Sequence, residues 1–86
     1  MDKQWFVYML RCGDGSLYTG VSTDVQARLK AHQSGKGAKY TKSHLPVSLV
    51  YTETCPDKSS AFRREWQIKQ LSREEKLKMI KAPESP

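Results

Sequence analysis

The sequence predicts an α+β domain in which helices pack on a three-stranded sheet. Two strand-like segments are joined by a Gly-rich turn, a third segment of alternating polarity follows, and the stretches between and after them have helical spacing. The predicted order is therefore β-β-α-β-α-α. A chain of 86 residues has room for one small core, so we predict one domain over residues 1–81 and a frayed tail over residues 82–86.

The strands are predicted at residues 5–10, 17–21 and 47–53. Residues 5–10 are large and apolar on both alternations, which suits a central strand that is covered on both faces. The turn at residues 12–16 contains two glycines that can adopt positive φ, so the first two strands are expected to form a hairpin. The third strand alternates apolar and polar residues.

The first helix is predicted from its start and stop signals. Thr23 is the expected N-cap, because its hydroxyl can accept from a free amide of the first turn while Gln26 reaches back. Gly35 is the expected stop. Residues 36–42 are rich in lysine and glycine, and we predict a mobile basic loop there.

Two further helices are predicted in the last third of the chain. The second runs over about residues 59–71, after a Pro-Asp start signal, and Ser72 with Glu75 forms a capping box that begins a third helix over residues 73–81. The stripe of the second helix that is expected to face the core consists of Ala61, Phe62, Glu65, Ile68 and Leu71.

The composition is that of a soluble globular domain with an anionic partner. Hydrophobic residues make up 37% and charged residues 28%, unlike a disordered chain. No apolar run approaches the roughly 20 residues that cross a bilayer, and the N-terminus lacks a signal-peptide layout, so we expect a cytoplasmic protein with no membrane partner. The net charge of +6 favours nucleic acid as the partner. A protein-interaction domain whose charge serves solubility is the alternative.

The two cysteines, Cys12 and Cys55, are expected to be free thiols in a reducing compartment. A zinc site would need them to converge with His32 and His44. Structural zinc sites usually show short paired spacings, which these four residues lack.

Glu65, Arg28 and His32 are candidates for chemistry. A carboxylate at position 65 is costly on an inner stripe unless it is paired or binds a metal, and an ion pair with Lys69, four residues later, is the alternative. Arg28 and His32 are also four residues apart and project from one side of a helix. Arg28 offers bidentate donors for a phosphate, and His32 can move a proton near neutral pH. A surface arginine beside a half-buried histidine is the alternative.

Tyr8 and Tyr18 lie on the two strands of the predicted hairpin. A phenol can hydrogen-bond or, once deprotonated, act as a base or nucleophile. Its usual pKa of about 10 means that a basic or metal-rich site is needed to ionise it. Packing in the core is the alternative for both tyrosines.

These residues, in this order, form a pattern that resembles a known one. Phe6-Val7-Tyr8 ends ten residues before Tyr18-Thr19-Gly20 begins, Arg28 lies ten residues beyond Tyr18, and a helical Glu65 completes the set. Over residues 5–71 the chain resembles the GIY-YIG nuclease superfamily. It is most similar to the small stand-alone members known as UPF0213, or YhbQ-like, proteins.

The resemblance implies an antiparallel sheet and metal-dependent cleavage of DNA phosphodiester bonds, with repair or recombination as the setting. Tyr8 and Tyr18 match the motif tyrosines, one of which would orient or deprotonate the attacking water. Arg28 would hold the scissile phosphate and neutralise charge as it builds. Glu65 would be the protein ligand of a single Mg²⁺ or Mn²⁺ ion.

Further positions agree with the family or depart from it. Gly20 is the motif glycine, which would leave room beside the site, and His32 matches a histidine that some members use near the water. Val21 stands where some repair nucleases of the family carry a lysine. The chain has no asparagine, which many members place a dozen or so residues after the glutamate; Lys69 or a basic residue near the third helix is the candidate substitute. A catalytically weak or inactive nucleic-acid-binding module on the same fold is therefore the alternative.

The predicted nucleic-acid surface combines the basic loop with the second helix, and a solvated flexible loop is the alternative. Its residues are Gly20, Lys36, Lys39, Tyr40, Lys42, Arg63, Arg64 and Lys69. We see no room for a sequence-reading module. We therefore expect recognition of DNA structure or ends, with RNA as the alternative substrate, by a monomer or weak homodimer.

Overall fold

The computed structural model describes residues 4–81, apart from the side chain of residue 81. The elements in this range follow the order β-β-α-α-β-α-α, which is the predicted order with one additional short helix. Their bounds are β1 Trp5–Arg11, β2 Leu17–Ser22, α1 Val25–Gln33, α2 Lys39–Lys42, β3 Ser48–Cys55, α3 Lys58–Lys69 and α4 Arg73–Lys81. No helix in this range has the length and apolar content needed to cross a bilayer. The predicted tail at 82–86 lies outside the described residues.

The three strands form an antiparallel sheet in the order β2-β1-β3. Tyr8, in the middle of β1, is paired with Gly20 of β2 on one side and with Thr52 of β3 on the other. The predicted central position of the first strand is therefore confirmed, as is the antiparallel α+β architecture.

Helices cover both faces of the sheet because β1 is apolar on both alternations. Val7 and Met9 pack with Ala61 and Ile68 of α3, and partly buried side chains of α4 join this cluster. Successive side chains of a strand point to opposite faces. Tyr8 and Leu10 accordingly pack in a second cluster that includes apolar residues of α1. The α1 layer and the α3–α4 layer thus lie on opposite sides of the sheet.

The start of α1 differs by one residue from the prediction. Asp24, rather than Thr23, is the N-cap, and its carboxylate accepts a hydrogen bond from the Ala27 amide at 3.0 Å. Asp is a better N-cap than Thr, which explains the shift. Gly35 follows the helix at φ +82°, a left-handed conformation that disfavours a β-carbon, so the predicted stop is confirmed.

The other helix starts agree with their local signals. Asp57 caps α3 by accepting from the Ser60 amide at 2.8 Å. The capping box of α4 is confirmed: the Ser72 amide donates to Oε1 of Glu75 at 2.9 Å, and the Glu75 amide donates to Oγ of Ser72 at 3.2 Å.

One position of the core stripe predicted for the second helix is wrong. Phe62 was expected to face the core, but it is 45% exposed.

The prediction of a mobile loop at residues 36–42 is also wrong. Residues 39–42 form α2, and Thr41 within it is fully buried. The Thr41 hydroxyl donates to the carbonyl of Ala38 at 2.9 Å, and its oxygen lies 2.7 Å from Nδ1 of His32. The first contact closes the start of α2 on itself, and the second joins the segment to α1 and to the site described next.

Candidate active site

The ring of Tyr8 lies across Gly20, its partner on β2. Tyr8 is 1% exposed, and a β-carbon added to Gly20 would lie 2.5 Å from the Tyr8 hydroxyl oxygen. Any side chain at position 20 would push the phenol away. The glycine thus lets the hydroxyl of Tyr8 reach the side chain of His32 on α1.

His32 is fully buried and has a hydrogen-bond partner on each ring nitrogen. Nε2 lies 2.9 Å from the Tyr8 hydroxyl, and Nδ1 lies 2.7 Å from Oγ1 of Thr41. The Thr41 proton goes to the Ala38 carbonyl, which can only accept, so Oγ1 must accept from Nδ1–H. Nε2 is then unprotonated in the neutral ring and accepts the proton of Tyr8.

The protonation state of His32 agrees with this assignment. Burial, and to a lesser extent the positive charge of Arg28, lower the pKa of His32 below its ordinary value. The imidazole is therefore neutral at neutral pH. Gly37 fixes the ring from the α2 side, because an added β-carbon there would overlap Nδ1 of His32.

Tyr18 lies beside this pair. Its ring centroid is 5.2 Å from that of His32 and 6.5 Å from that of Tyr8. Burial raises the pKa of Tyr18, the charge of Arg28 acts in the opposite direction, and the charge of Glu65 adds to the increase. Tyr18 also lines an open pocket at the edge of β2.

Arg28 and Glu65 bring opposite charges to the two phenols. Burial raises the pKa of Tyr8, the nearby guanidinium of Arg28 lowers it, and the charges of Tyr18 and Glu65 raise it further. Both charged groups therefore act on both tyrosines, although Arg28 comes from the α1 layer and Glu65 from α3. Glu65 also forms the predicted pair with Lys69, with Oε2 3.3 Å from Nζ. Its side chain is 19% exposed.

A family model described as the GIY-YIG catalytic domain matches residues 4–78, most of the described chain. The chain belongs to the GIY-YIG family. The match spans every element that contributes to the site, from β1 to α3.

Relatives and solved structures agree with the GIY-YIG assignment. The UPF0213 protein SERP0126 of Staphylococcus epidermidis is 59% identical over 80 residues, which cover 93% of this chain and 96% of that one. A UPF0213 protein of Streptococcus sanguinis is 56% identical over 94% of this chain and 93% of its own length. The solution NMR structure of the UPF0213 protein BH0048 from Bacillus halodurans matches with a TM-score of 0.61 and 47% identity, over 96% of this chain and 88% of that chain.

The GIY-YIG site has one carboxylate that could hold a divalent ion. Among residues 4–81 no group of three or more His, Cys, Asp or Glu side chains is arranged to bind a metal. Glu65 alone fits Mg²⁺, which usually takes one or two carboxylates and completes its shell with water and substrate phosphates. Cys12 and Cys55 are both buried free thiols and belong to the clusters on opposite faces of the sheet, so they do not converge.

The predicted nucleic-acid residues of this GIY-YIG domain divide into exposed, partly exposed and buried ones, and Gly20 is the buried one, beneath the ring of Tyr8. Lys36, Lys39, Tyr40, Lys42, Arg63 and Lys69 are all exposed. Arg64 is only partly exposed, and its Nε lies 3.0 Å from each carboxylate oxygen of Glu53. It also contacts Gln67. These partners occupy the guanidinium of Arg64, so we assign it no contact with nucleic acid.

Thr41 and Gly37 were missed as site residues by the sequence analysis. Both lie in the segment that was predicted to be a mobile loop, and both contact His32. Neither residue belongs to a helical or strand-like periodic pattern, so spacing in the sequence could not identify Thr41. A glycine two residues after the helix-ending Gly35 was the one local hint of a close approach.

Proposed function

We propose that this protein is a divalent-metal-dependent nuclease that hydrolyses DNA phosphodiester bonds, with repair or recombination as its setting. The observation that supports the proposal most is the meeting of two phenols, a guanidinium and a carboxylate from opposite helical layers. Although these residues are far apart in sequence, Arg28 lowers and Glu65 raises the pKa of both Tyr8 and Tyr18. Their residue types match what phosphoryl transfer requires.

The hydrogen bond between Tyr8 and His32 supports a route for the proton of the attacking water. Neither phenol ionises readily, because burial raises the pKa of both tyrosines. Tyr8, however, can pass its proton to Nε2 of His32 as its oxygen accepts a proton from water. His32 becomes imidazolium, and Thr41 continues to accept from Nδ1–H. We therefore assign Tyr8 and His32 to proton transfer, and Tyr18 to orienting the water or phosphate.

Arg28 and Glu65 are assigned to stabilising the negative charge that develops on the phosphate. The guanidinium of Arg28 offers two parallel donors to phosphate oxygens. Glu65 would hold the divalent ion, which supplies positive charge at the phosphate when bound. Lys69 then has to release Glu65, and its ammonium becomes available to the substrate.

A nicking assay on supercoiled plasmid, with Mg²⁺ or with EDTA, tests the proposal. We expect Mg²⁺-dependent nicking that falls at least about 100-fold in Glu65→Gln and in Arg28→Ala. Glu74→Gln and Arg11→Ala remove the same charges at exposed positions away from the site and should cleave as wild type does. Equal cleavage by Glu65→Gln and Glu74→Gln would remove the basis of the proposal.

The assignment of the two tyrosines is tested separately. Tyr8→Phe removes the hydroxyl that donates to His32, so we expect kcat to fall about 100- to 10,000-fold. Tyr18→Phe should cost less, because no described side chain accepts from its hydroxyl. If Tyr18→Phe is the more severe change, Tyr18 is the proton acceptor and the role given to Tyr8 is wrong.

A nucleic-acid-binding module without catalysis is the second candidate. The pair between Glu65 and Lys69 favours it, because an ammonium at 3.3 Å competes with a metal ion for the carboxylate. Salt-dependent DNA binding without cleavage by any divalent ion would support this candidate. Lys69→Gln then provides a direct test: it should increase cleavage if the pair suppresses metal binding.

A further inference from the structure

An open pocket lies at the free edge of β2, the strand that pairs with β1 alone. Its volume is about 230 Å³. It is lined by Leu17, Tyr18, Thr19, Tyr40, Lys69 and Lys76, so β2, α2, α3 and α4 all contribute to it. The pocket is therefore reached from solvent at the place where the two helical layers meet around the edge of the sheet.

The charged lining of this edge pocket is positive. Two lysines, Lys69 and Lys76, line it, and no acidic side chain of the described chain does. Lys69 is paired with Glu65, whereas Lys76 has no ion pair within residues 4–81. The ammonium of Lys76 thus brings to the pocket a positive charge that no carboxylate of the described residues neutralises. The edge pocket therefore favours an anionic ligand.

Tyr40 forms an aromatic wall of the edge pocket that neighbouring side chains hold in position. Its hydroxyl donates to Oγ of Ser16 at 2.7 Å, and its ring stacks on His44 with 4.1 Å between centroids and 7° between planes. The ring of Tyr18 is nearly parallel to it, 6.3 Å away and at 19°. A ring that is already fixed loses little entropy on binding. This wall suits the sugar or base attached to a phosphate.

Two lining residues connect the edge pocket to the candidate active site. Tyr18 borders the pocket and lies beside Tyr8 and His32. Lys69 borders the pocket and is paired with Glu65, the candidate metal ligand. A nucleic-acid strand with its scissile phosphate at the active site would therefore bring a neighbouring phosphate to the pocket.

We infer that the edge pocket is a second phosphate-binding site in which Lys76, together with Lys69, binds the phosphate next to the scissile one. This inference rests on the proposed function. The ligand is a nucleotide phosphate, either an internal phosphodiester of a strand that continues past the site or the terminal phosphate of a strand end. Lys76 contributes to substrate affinity and does not touch the reacting atoms.

Binding of a labelled oligonucleotide in EDTA tests the inference without cleavage. We expect Lys76→Gln to weaken binding about fivefold and to reduce the slope of log affinity against log salt by about one, as for loss of one phosphate contact. Lys76→Arg keeps the charge and should stay within about twofold of wild type. Lys78→Gln is the matched control, since it removes the same charge at an exposed position of α4 outside the pocket.

Substrates with and without a terminal phosphate distinguish the two sources. If the difference in affinity between Lys76→Gln and wild type is lost when the terminal phosphate is removed, the ligand is a strand end. A difference that persists identifies an internal phosphodiester. Equal behaviour of Lys76→Gln and Lys78→Gln on both substrates overturns the inference, as does wild type that binds neither substrate at low salt.

Cleavage kinetics separate this inference from the nuclease proposal. Lys76→Gln should raise KM about fivefold and leave kcat within about twofold, because its contact is made in both ground and transition states. Active enzyme whose KM is unchanged in Lys76→Gln overturns the inference and leaves the nuclease function in place. If wild type does not cleave but Lys76→Gln still binds more weakly than wild type, the phosphate site is supported and the nuclease function is contradicted.

Discussion

The hydroxyl of Thr41 determines which nitrogen of His32 can take a proton. Because its own proton is given to Ala38, it can only accept from Nδ1–H, and the lone pair of Nε2 is left facing Tyr8. Under the proposed function this makes Thr41 a positioning residue that acts through His32.

We predict that Thr41→Val lowers kcat about 10- to 100-fold, because the ring loses the acceptor that fixes its tautomer. Thr41→Ser retains the hydroxyl and should restore most of the activity. The pH profile of kcat should change in the valine variant, and ¹⁵N NMR of the imidazole should show loss of the pure Nδ1–H form. Thr52→Val, an exposed change of the same kind on β3, is the control. An unchanged tautomer in Thr41→Val contradicts the assignment.

Two buried threonines should respond in opposite ways to the same substitution. Oγ1 of Thr19 is buried and has no hydrogen-bond partner among the described residues, whereas Oγ1 of Thr41 has two. Thr19→Val therefore removes an unsatisfied polar atom and should raise the free energy of unfolding by about 1 kcal/mol, while Thr41→Val should lower it by about 1–3 kcal/mol. Urea denaturation measures both. A destabilised Thr19→Val would mean that its hydroxyl is satisfied in solution.

Residue identity and order were enough to nominate the charged and phenolic part of the site. Tyr8, Tyr18, Arg28 and Glu65 are few and distinctive, and in the structure the charges of Arg28 and Glu65 shift the pKa of both tyrosines. Thr41 could not be found in this way, because a single threonine among lysines has no periodic signal. Its contact with His32 depends on the path of the chain between them.

The segment that contains α2 acts as a support for α1. The backbone of Gly37 packs against the ring of His32, and Thr41 forms a hydrogen bond with Nδ1 of the same ring. One short segment therefore holds His32 at two points. A solvated loop was the expectation here because the composition is polar and rich in glycine. The buried contacts of Thr41 and Gly37 outweigh that local preference.

We predict that Gly37→Ala displaces the ring of His32 and lowers the free energy of unfolding by about 1–3 kcal/mol, since the added methyl has no room. Activity should fall with it, because the hydrogen bond to Tyr8 depends on the ring position. Lys36→Ala, at the exposed neighbouring position, should leave both quantities nearly unchanged. Denaturation curves and nicking rates provide the measurements. A Gly37→Ala variant that is fully stable and active would show that the contact is not rigid.

Element assignment succeeded where pattern and tertiary packing agreed. Residues 5–10 are apolar on both alternations, and β1 is covered on both faces. The prediction of core positions failed for Phe62, which lies in α3 as expected but at the edge of the predicted core stripe, next to Ala61. Trp5 is near Phe62, with 6.2 Å between ring centroids, but Phe62 stays half exposed. Helical spacing gives the direction of a side chain, and it does not tell where the covering layer ends.

At the scale of the whole molecule, stability should depend on pH through His32. The pKa of His32 is lowered in the folded state, while the unfolded chain has the ordinary value of about 6.5. Just below pH 6.5 the unfolded chain therefore binds more protons than the folded one, and the free energy of unfolding decreases as pH falls. Tyr8 and Tyr18, whose rings lie beside that of His32, have raised pKa values and stay protonated in this range.

The prediction is a loss of stability between pH 7 and pH 5 that is reduced in His32→Gln. Urea denaturation at several pH values measures it. The carboxyl groups with lowered pKa, Asp14, Asp57 and Glu75, contribute only at lower pH, below about 4.5. Gln26→Ala removes no titratable group from an exposed position of α1, so it is the control and should keep the wild-type profile. Identical profiles for His32→Gln and wild type would place the titration elsewhere.

The position of Glu65 on the far helical layer has a consequence for when the molecule can be active. A ribosome-bound chain that has emerged only as far as β3 already contains both tyrosines, Arg28 and His32, yet it lacks the carboxylate that would hold the ion. A finished copy whose α3 has detached is in the same condition. Under the proposed mechanism, a copy in which α3 is missing or detached cannot hold the ion through Glu65, so cleavage begins only after α3 has docked on the sheet.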